Sequence, residues 1–266
     1  MDTAAILDLI RETAETVINP RFRSLQDEDV DSKSSPGDLV TVADRQAEEA
    51  MTKALRTAFP KALVVGEEAA FTAPELLEQL PEAEHAFVID PIDGTRNFVH
   101  GRIEHGVMLA ELRRGKATRG WIWQPQTDRA YVTERGAGVW LNDEPIRGSH
   151  PKRPPLGATS KEGLHGFTGD GVLSPVVSTK SACAFDYPRI LHGEIDFLHY
   201  TKICPWDHLA GTLMVVEQGG TARTLNGLEY NAASTGQGLL VSCSPDAWQV
   251  VRGVWPTTPT ADSAAP

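Results

Sequence analysis

Residues 86–95 read Ala86-Phe87-Val88-Ile89-Asp90-Pro91-Ile92-Asp93-Gly94-Thr95. A short apolar run delivers two carboxylates, three positions apart, to the end of a predicted strand. Pro91 fixes its own φ and lacks an N–H donor, so the chain must turn there. Asp90, Asp93 and the Ile92 carbonyl can then face one point. Gly94 permits close backbone approach, and Thr95 can open a helix whose free N–H groups suit a phosphate. Two carboxylates, a carbonyl and an anion cradle describe a hard-metal phosphate site. In isolation the same residues would also make a solvated turn.

The neighbouring segments weigh against that plain turn. Gly66-Glu67-Glu68 ends a second apolar run, Leu63 to Val65. Trp206-Asp207 opens a predicted helix that runs to Gln218, with Leu209, Leu213 and Val216 or Glu217 on its period and Gly219-Gly220 as its stop. Three element ends bearing acids would repel one another unless cations neutralise them.

Further out, residues 3–18 place Ile6, Leu9, Ile10, Thr13 and Val17 on one helical face, with Asp2 or Thr3 as N-cap. Gln26 to Asp38 reads as an exposed, mobile loop before a second helix over Val42 to Phe59. Strands are predicted at Ala86–Ile89, Gly106–Glu111, Ala117–Trp123, Ala130–Thr133 and Leu239–Ser242. No internal repeat is present, and helices and strands mix without strict βαβ alternation. A layered α+β or α/β architecture follows.

The 266 residues are 41% hydrophobic and 23% charged, which excludes disordered and collagen-like classes. Acidic residues exceed basic ones by 36 − 25 = 11, so general nucleic-acid binding is not expected, and a phosphorylated substrate would need metal ions. No stretch approaches the roughly 20 apolar residues of a membrane span. Met1 to Ile10 carries Asp2 and Asp8 without a basic region, so no secretory signal is expected. Cys183, Cys204 and Cys243 are too widely spaced for a CxxC pair or a zinc cluster, and sparse thiols fit the cytoplasm.

GEE at 66–68, DPIDGTRNF at 90–98 and WDHLAG at 206–211, in that order, resemble the inositol monophosphatase family. So do DLVTVAD at 38–44, Gly136-Ala137-Gly138 after Pro125 to Tyr131, and the Gly219-Gly220 pair. The resemblance covers most of the chain. It implies the αβαβα sandwich of the lithium-sensitive phosphatases and of fructose-1,6-bisphosphatase. Residues 1–255 would be a single phosphatase domain, with an N-terminal lobe of about 1–145 and a C-terminal lobe of about 146–255. Residues 256–266, rich in Pro, Thr, Ala and Ser, read as a disordered tail.

The resemblance further implies two or three Mg²⁺ ions. Glu67, Asp90 and the Ile92 carbonyl would hold one, Asp90, Asp93 and Asp207 a second, and a weaker third would lie near Glu67. Asp44 and Thr95 match the pair that helps Glu67 activate the attacking water. Substrate contacts would fall to Asp93, Gly94, Thr95, Ser181, Cys183, Tyr200 and Asp207. The implied reaction is Mg²⁺-dependent hydrolysis of a small phosphorylated metabolite by a homodimer. Histidinol phosphate, fructose 1,6-bisphosphate and 3′-phosphoadenosine 5′-phosphate compete with inositol phosphate as substrates, and a regulatory or transcription-associated role is the reading from another class.

Two positions depart from the family pattern. Ser181 stands where the family has Gly, and Tyr200 where inositol-selective members carry a Glu. Without that carboxylate, inositol 1-phosphate should bind weakly. Tyr200 could instead stack on a planar ring, with Glu194 or Asp196 attracting a cationic group, which makes histidinol phosphate the first alternative. His100 and His105 are read as loop or core residues rather than zinc ligands, and Trp121 and Trp123 as core or dimer-interface residues.

Overall fold

The computed structural model describes residues 1–33, 38–148, 151–236 and 238–256. Asp2 caps helix α1 (Thr3–Thr13) by accepting from the Ala5 N–H at 2.9 Å. Helix α2 (Val42–Ala58) starts at a capping box: the Thr41 hydroxyl meets the Ala43 and Asp44 amides, and Asp44 accepts from the Thr41 N–H. Part of the loop expected over 26–38 forms a strand pair. Val30–Ser32 (β1) pairs antiparallel with Leu39–Thr41 (β2), Val30 opposite Thr41. The segment is too short and polar to show an alternation, so pairing rather than burial makes it a strand. Residues 34–37 lie outside the described residues, as does the expected tail beyond Pro256.

The larger sheet runs in the order β3 (Leu63–Gly66), β4 (Ala86–Asp93), β5 (Gly106–Arg113), β6 (Lys116–Gln124), β7 (Arg129–Glu134), β8 (Val139–Leu141), β9 (Glu144–Ile146). Only β3 and β4 pair in parallel. The smaller sheet has the order β11 (Val177–Ser178), β10 (Gly157–Thr159), β12 (Phe197–Tyr200), β14 (Leu239–Ser242), β13 (Thr221–Thr224). Short helices α3 (Glu67–Thr72), α4 (Glu75–Gln79) and α5 (Thr95–Val99) follow β3 and β4, while α6 (Cys183–Leu191), α7 (Pro205–Glu217) and α8 (Pro245–Val254) belong to the second half.

The side-chain alternation of the strands assigns the layers. Phe87, Ile89, Val107, Leu109, Trp121 and Trp123 pack with Ile6, Ile10, Met51 and Leu55 of α1 and α2. The opposite face, with Val88, Met108, Ala110 and Ile122, packs on Ala184, Ile190, Leu209 and Leu213 of α6 and α7. Those helices also meet Leu198, Leu239 and Val241 of the smaller sheet. Phe197 and Leu240, on its far face, join Trp248 and Val251 of α8. The order is therefore α, β, α, β, α. Trp121 and Trp123 are core residues, as expected.

One irregularity decides where the acids point. Strand β4 pairs Asp90 with Met108 but Asp93 with Gly106, so its last residues outnumber their partners. In a regular strand Asp93 would face opposite to Asp90. The bulge inverts that parity. Ile92 then lies with Ile89 against α1 and α2, and Asp93 joins Asp90 on the face of α6 and α7. Pro91, which could donate nothing to the ladder, sits at this step. The strand read from sequence as ending at Ile89 thus continues to Asp93.

Candidate active site

Asp90 and Asp93 come from the bulged end of β4, and Asp207 from the first turn of α7, where Pro205 occupies an N-terminal position. Their carboxylates each bring an oxygen into one group whose members lie within 4.8 Å of one another. Asp90 accepts the Ile92 N–H at 3.1 Å. Asp93 accepts two N–H groups at the start of α6, from Cys183 at 3.0 Å and Ala184 at 2.7 Å. Burial, then the charges of Glu67 and Asp93, push Asp90 and Asp207 well above the usual carboxylate range. Burial pushes Asp93 to about 7 against its two backbone donors.

Such a cluster resists ionisation because burial, and then the neighbouring carboxylates, disfavour added negative charge. The oxygens are hard donors, and among the described residues no imidazole or thiolate joins the trio. The donor set therefore fits a hard divalent cation rather than zinc.

Beside the trio, Gly94 holds φ at +80°, and a Cβ there would lie 2.9 Å from both Ala182 Cβ and the Glu104 carbonyl. Glycine is required on both counts. The Thr95 hydroxyl follows, 3.1 Å from Asp44 Oδ1 and 3.0 Å from the Ile92 carbonyl. Asp44 also accepts from the Thr41 N–H and hydroxyl at 2.8 and 2.6 Å. Burial carries its pKa to about 6 in spite of those donors. Asp44 thus joins the helix cap to Thr95.

Glu67 stands outside the tight trio but raises the pKa of Asp90 and Asp207 by its charge. Its carboxylate receives Lys33 Nζ at 2.7 Å, and the same ammonium reaches Glu68 at 2.6 Å. Burial alone would lower the Lys33 pKa, but the two glutamates raise it above that of an ordinary lysine. Burial pushes Glu68 to about 7 despite this partner. Sequence reading missed Lys33, because it lies in the polar stretch taken for a loop.

Two predicted substrate contacts, Cys183 and Tyr200, are otherwise engaged. The Cys183 N–H is spent on Asp93, and its buried thiol is held well above the ordinary value, by burial first. The Tyr200 hydroxyl donates to Asp186 at 3.0 Å, and its ring is buried between Tyr187 and His208. No aromatic face is left for a planar substrate, which corrects the stacking expected from sequence. Asp196, offered as an attractor of cations, is fully buried and accepts the Lys152 and Leu156 N–H groups. Ser181 is exposed and adopts φ +56°, the left-handed backbone that its family glycine would supply. His105 is buried against Phe22 and Phe98, and His100 is exposed, so neither lies in the trio.

A five-layer αβαβα frame with three acids gathered where β4, α6 and α7 meet is the arrangement of a phosphatase, a hydrolase of phosphate monoesters. The chain belongs to the inositol monophosphatase family, whose model matches residues 2–251. It is 31% identical to an inositol-1-monophosphatase of Mesorhizobium japonicum over 74% of this chain and 76% of that one. It is 30% identical to the Nus factor SuhB of Pseudomonas aeruginosa over 77% and 80%. Among solved structures, the Thermotoga maritima IMPase TM1415 superposes with a TM-score of 0.78 at 27% identity, covering 94% of this chain and 96% of that one.

Proposed function

We propose that the chain hydrolyses small, polar phosphate monoesters with Mg²⁺, and that Asp90, Asp93, Asp207, Glu67 and the Ile92 carbonyl hold the metal. The observation that carries this reading is the trio of carboxylates within 4.8 Å, ionised only at a cost until a cation arrives. Mg²⁺ bound there supplies charge that polarises the phosphoryl oxygens and acidifies a coordinated water. The chain's own part is to place and deprotonate that water. The Thr95 hydroxyl donates to Asp44 or to the Ile92 carbonyl, and its lone pairs orient a water beside the acids. Asp44, with a pKa of about 6, accepts the proton near neutral pH. Gly94 and the first amides of α5 face the phosphate. With only five residues in α5, their help is that of local N–H donors rather than a long helix dipole. The Cys183 thiol, the neighbour of Asp93, is held protonated by burial first, so direct in-line attack by water is the reading, without a phosphoenzyme.

Asn97, Glu162, Thr179, Lys180 and Ser181 line a polar cleft of about 500 Å³ beside Gly94, which supports a small hydroxyl-bearing leaving group. Position 200 offers no carboxylate, and its phenol is committed to Asp186. We therefore read the specificity as broad, with inositol 1-phosphate accepted but not strongly preferred, and the stacking argument for histidinol phosphate withdrawn. The complete acid set supports hydrolysis over a purely regulatory role. Residues 1–255 acting as one phosphatase domain, a homodimeric assembly, lithium sensitivity and a cytoplasmic setting for three unpaired cysteines belong to the same proposal.

The test is phosphate release with and without Mg²⁺ from inositol 1-phosphate, fructose 1,6-bisphosphate, histidinol phosphate and 3′-phosphoadenosine 5′-phosphate. Mg²⁺-dependent turnover of several of these supports the reading. An absence of turnover on all of them, from protein that still binds Mg²⁺, refutes it.

A further inference from the structure

We propose that Glu48, a residue of α2 with no place in the acid trio, is a positioning residue that aims Glu67 at the metal site. This rests on the reading of Glu67 as a metal ligand. Helix α3 begins at Glu67, directly after Gly66, and has no side-chain cap of its own. The two glutamates that follow therefore stand on a turn whose first N–H groups lack a local acceptor. Glu48 provides one from another helix. Its carboxylate takes the Glu68 N–H at 2.8 Å and the Ala69 N–H at 2.9 Å, one with each oxygen, and the residue is 7% exposed.

Gly66 makes this possible. Its φ of −100° is open to any residue, so conformational freedom is not the reason for glycine. A Cβ at Gly66 would fall inside the Glu48 carboxylate. The glycine is the opening through which α2 reaches under the turn. On the other side Lys33 binds both Glu67 and Glu68, so the turn is held from below by an anion and from above by a cation.

The arrangement has an electrostatic cost. Burial first, and then the charge of Glu67, disfavour the ionised Glu48, against the two amides and Lys33. A neutral side-chain amide has a single oxygen and cannot accept both N–H groups with two oxygens. A carboxylate at position 48 fixes two consecutive amides at once, and that fixes the direction of the Glu67 Cα–Cβ bond. Positioning residues of this kind act on metal affinity rather than on chemistry at saturation.

The experiment compares Glu48→Gln, Gly66→Ala, Glu48→Ala and the Glu48→Ala/Gly66→Ala pair with wild type, and includes Glu67→Gln. Amide hydrogen exchange over residues 66–72 is read in the metal-free protein, and Mg²⁺ titrations are read by thermal shift and by turnover. Glu48→Gln should speed exchange at Glu68 and Ala69 and raise the half-saturating Mg²⁺ concentration about tenfold, with kcat at saturating Mg²⁺ within about threefold of wild type. Gly66→Ala, which keeps the carboxylate but displaces it, should do the same. In the Glu48→Ala background it should add less than about twofold, because the contact is already gone. The Gly66→Ala arm carries the test should Glu48→Ala fail to fold. Unchanged exchange and unchanged Mg²⁺ demand in Glu48→Gln, alongside a raised demand in Glu67→Gln, overturn the role of Glu48 alone. Unchanged Mg²⁺ demand in Glu67→Gln overturns the ligand reading itself. A large fall in kcat at saturating Mg²⁺ with unaltered Mg²⁺ demand overturns the positioning role in favour of a direct one.

Discussion

Asp93→Asn separates the proposed metal role of this carboxylate from its structural one. In the folded protein Asp93 has a pKa of about 7 against an ordinary 3.8, and burial is the main cause. A raised carboxylate pKa means that stability falls as pH rises from the unfolded value toward the folded one. At neutral pH, without metal, that difference of about 3 units amounts to roughly 4 kcal/mol of destabilisation at 1.36 kcal/mol per unit. Asparagine removes it. The substitution also loses one of the two bonds from Cys183 and Ala184, since an amide nitrogen cannot accept, at a cost of about 2–3 kcal/mol for a charged acceptor. The metal-free variant should therefore match or exceed wild type by about 1–2 kcal/mol at pH 7.5, or about 2–6 °C in Tm. As pH falls to 5 the advantage should shrink or reverse, because wild-type Asp93 becomes protonated. With Mg²⁺ the order inverts: wild type gains stability, the variant gains little, and its turnover drops by about two orders of magnitude or more. Thermal melts at pH 5, 6, 7 and 8 with EDTA or Mg²⁺, together with phosphate release, measure all of this. A variant whose metal-free Tm falls further below wild type as pH rises, or which keeps the Mg²⁺ shift and the turnover, would refute the reasoning.

Millimolar Li⁺ should inhibit Mg²⁺-supported phosphate release, by entering the oxygen site of Asp90, Asp93 and Asp207 with a single charge; unchanged rates would remove the idea of a replaceable ion. Ser181→Gly should raise Tm by about 1–3 °C, because serine at φ +56° carries about 1–2 kcal/mol of backbone strain, partly offset by the entropy of an unfolded glycine; a lowered Tm contradicts this. His105 has a pKa lowered to about 4, chiefly by burial, so its contribution is complete above pH 6.5 and is lost as pH falls through that range. His105→Phe should therefore flatten the wild-type stability loss between pH 6.5 and 4 by up to about 3 kcal/mol, as read by denaturant melts; an unaltered slope would clear His105 of the effect.

The acid trio was legible because its members sit at element ends that announce themselves. An apolar run meeting Asp-Pro-x-Asp-Gly has few local alternatives, and a Trp-Asp pair after a proline opens a helix. The layer order followed once strand alternation could be matched to two opposed helix pairs. What sequence could not show were long-range hydrogen bonds. Nothing near Tyr200 reveals that Asp186 will take its hydroxyl, and nothing in residues 180–184 reveals that Asp93 will claim the Cys183 amide. Lys33 and Glu48 escaped for a similar reason. Lys33 meets Glu67 and Glu68, and Glu48 the Glu68 and Ala69 amides, from elements that look, read locally, like a polar loop and an ordinary helix face.

The carboxylate of Asp93 grows from one sheet and is gripped by a helix that the second sheet must also meet. The acid cluster is therefore complete only when β4, α6 and α7 are all in place. A nascent chain released after residue 150 would hold Asp44, Glu67, Asp90 and Thr95 yet lack Asp207 and the amides of Cys183 and Ala184. Enzymatic activity regained on dilution from denaturant should accordingly trail the recovery of helical signal, arriving only once α6 and α7 pack on β4.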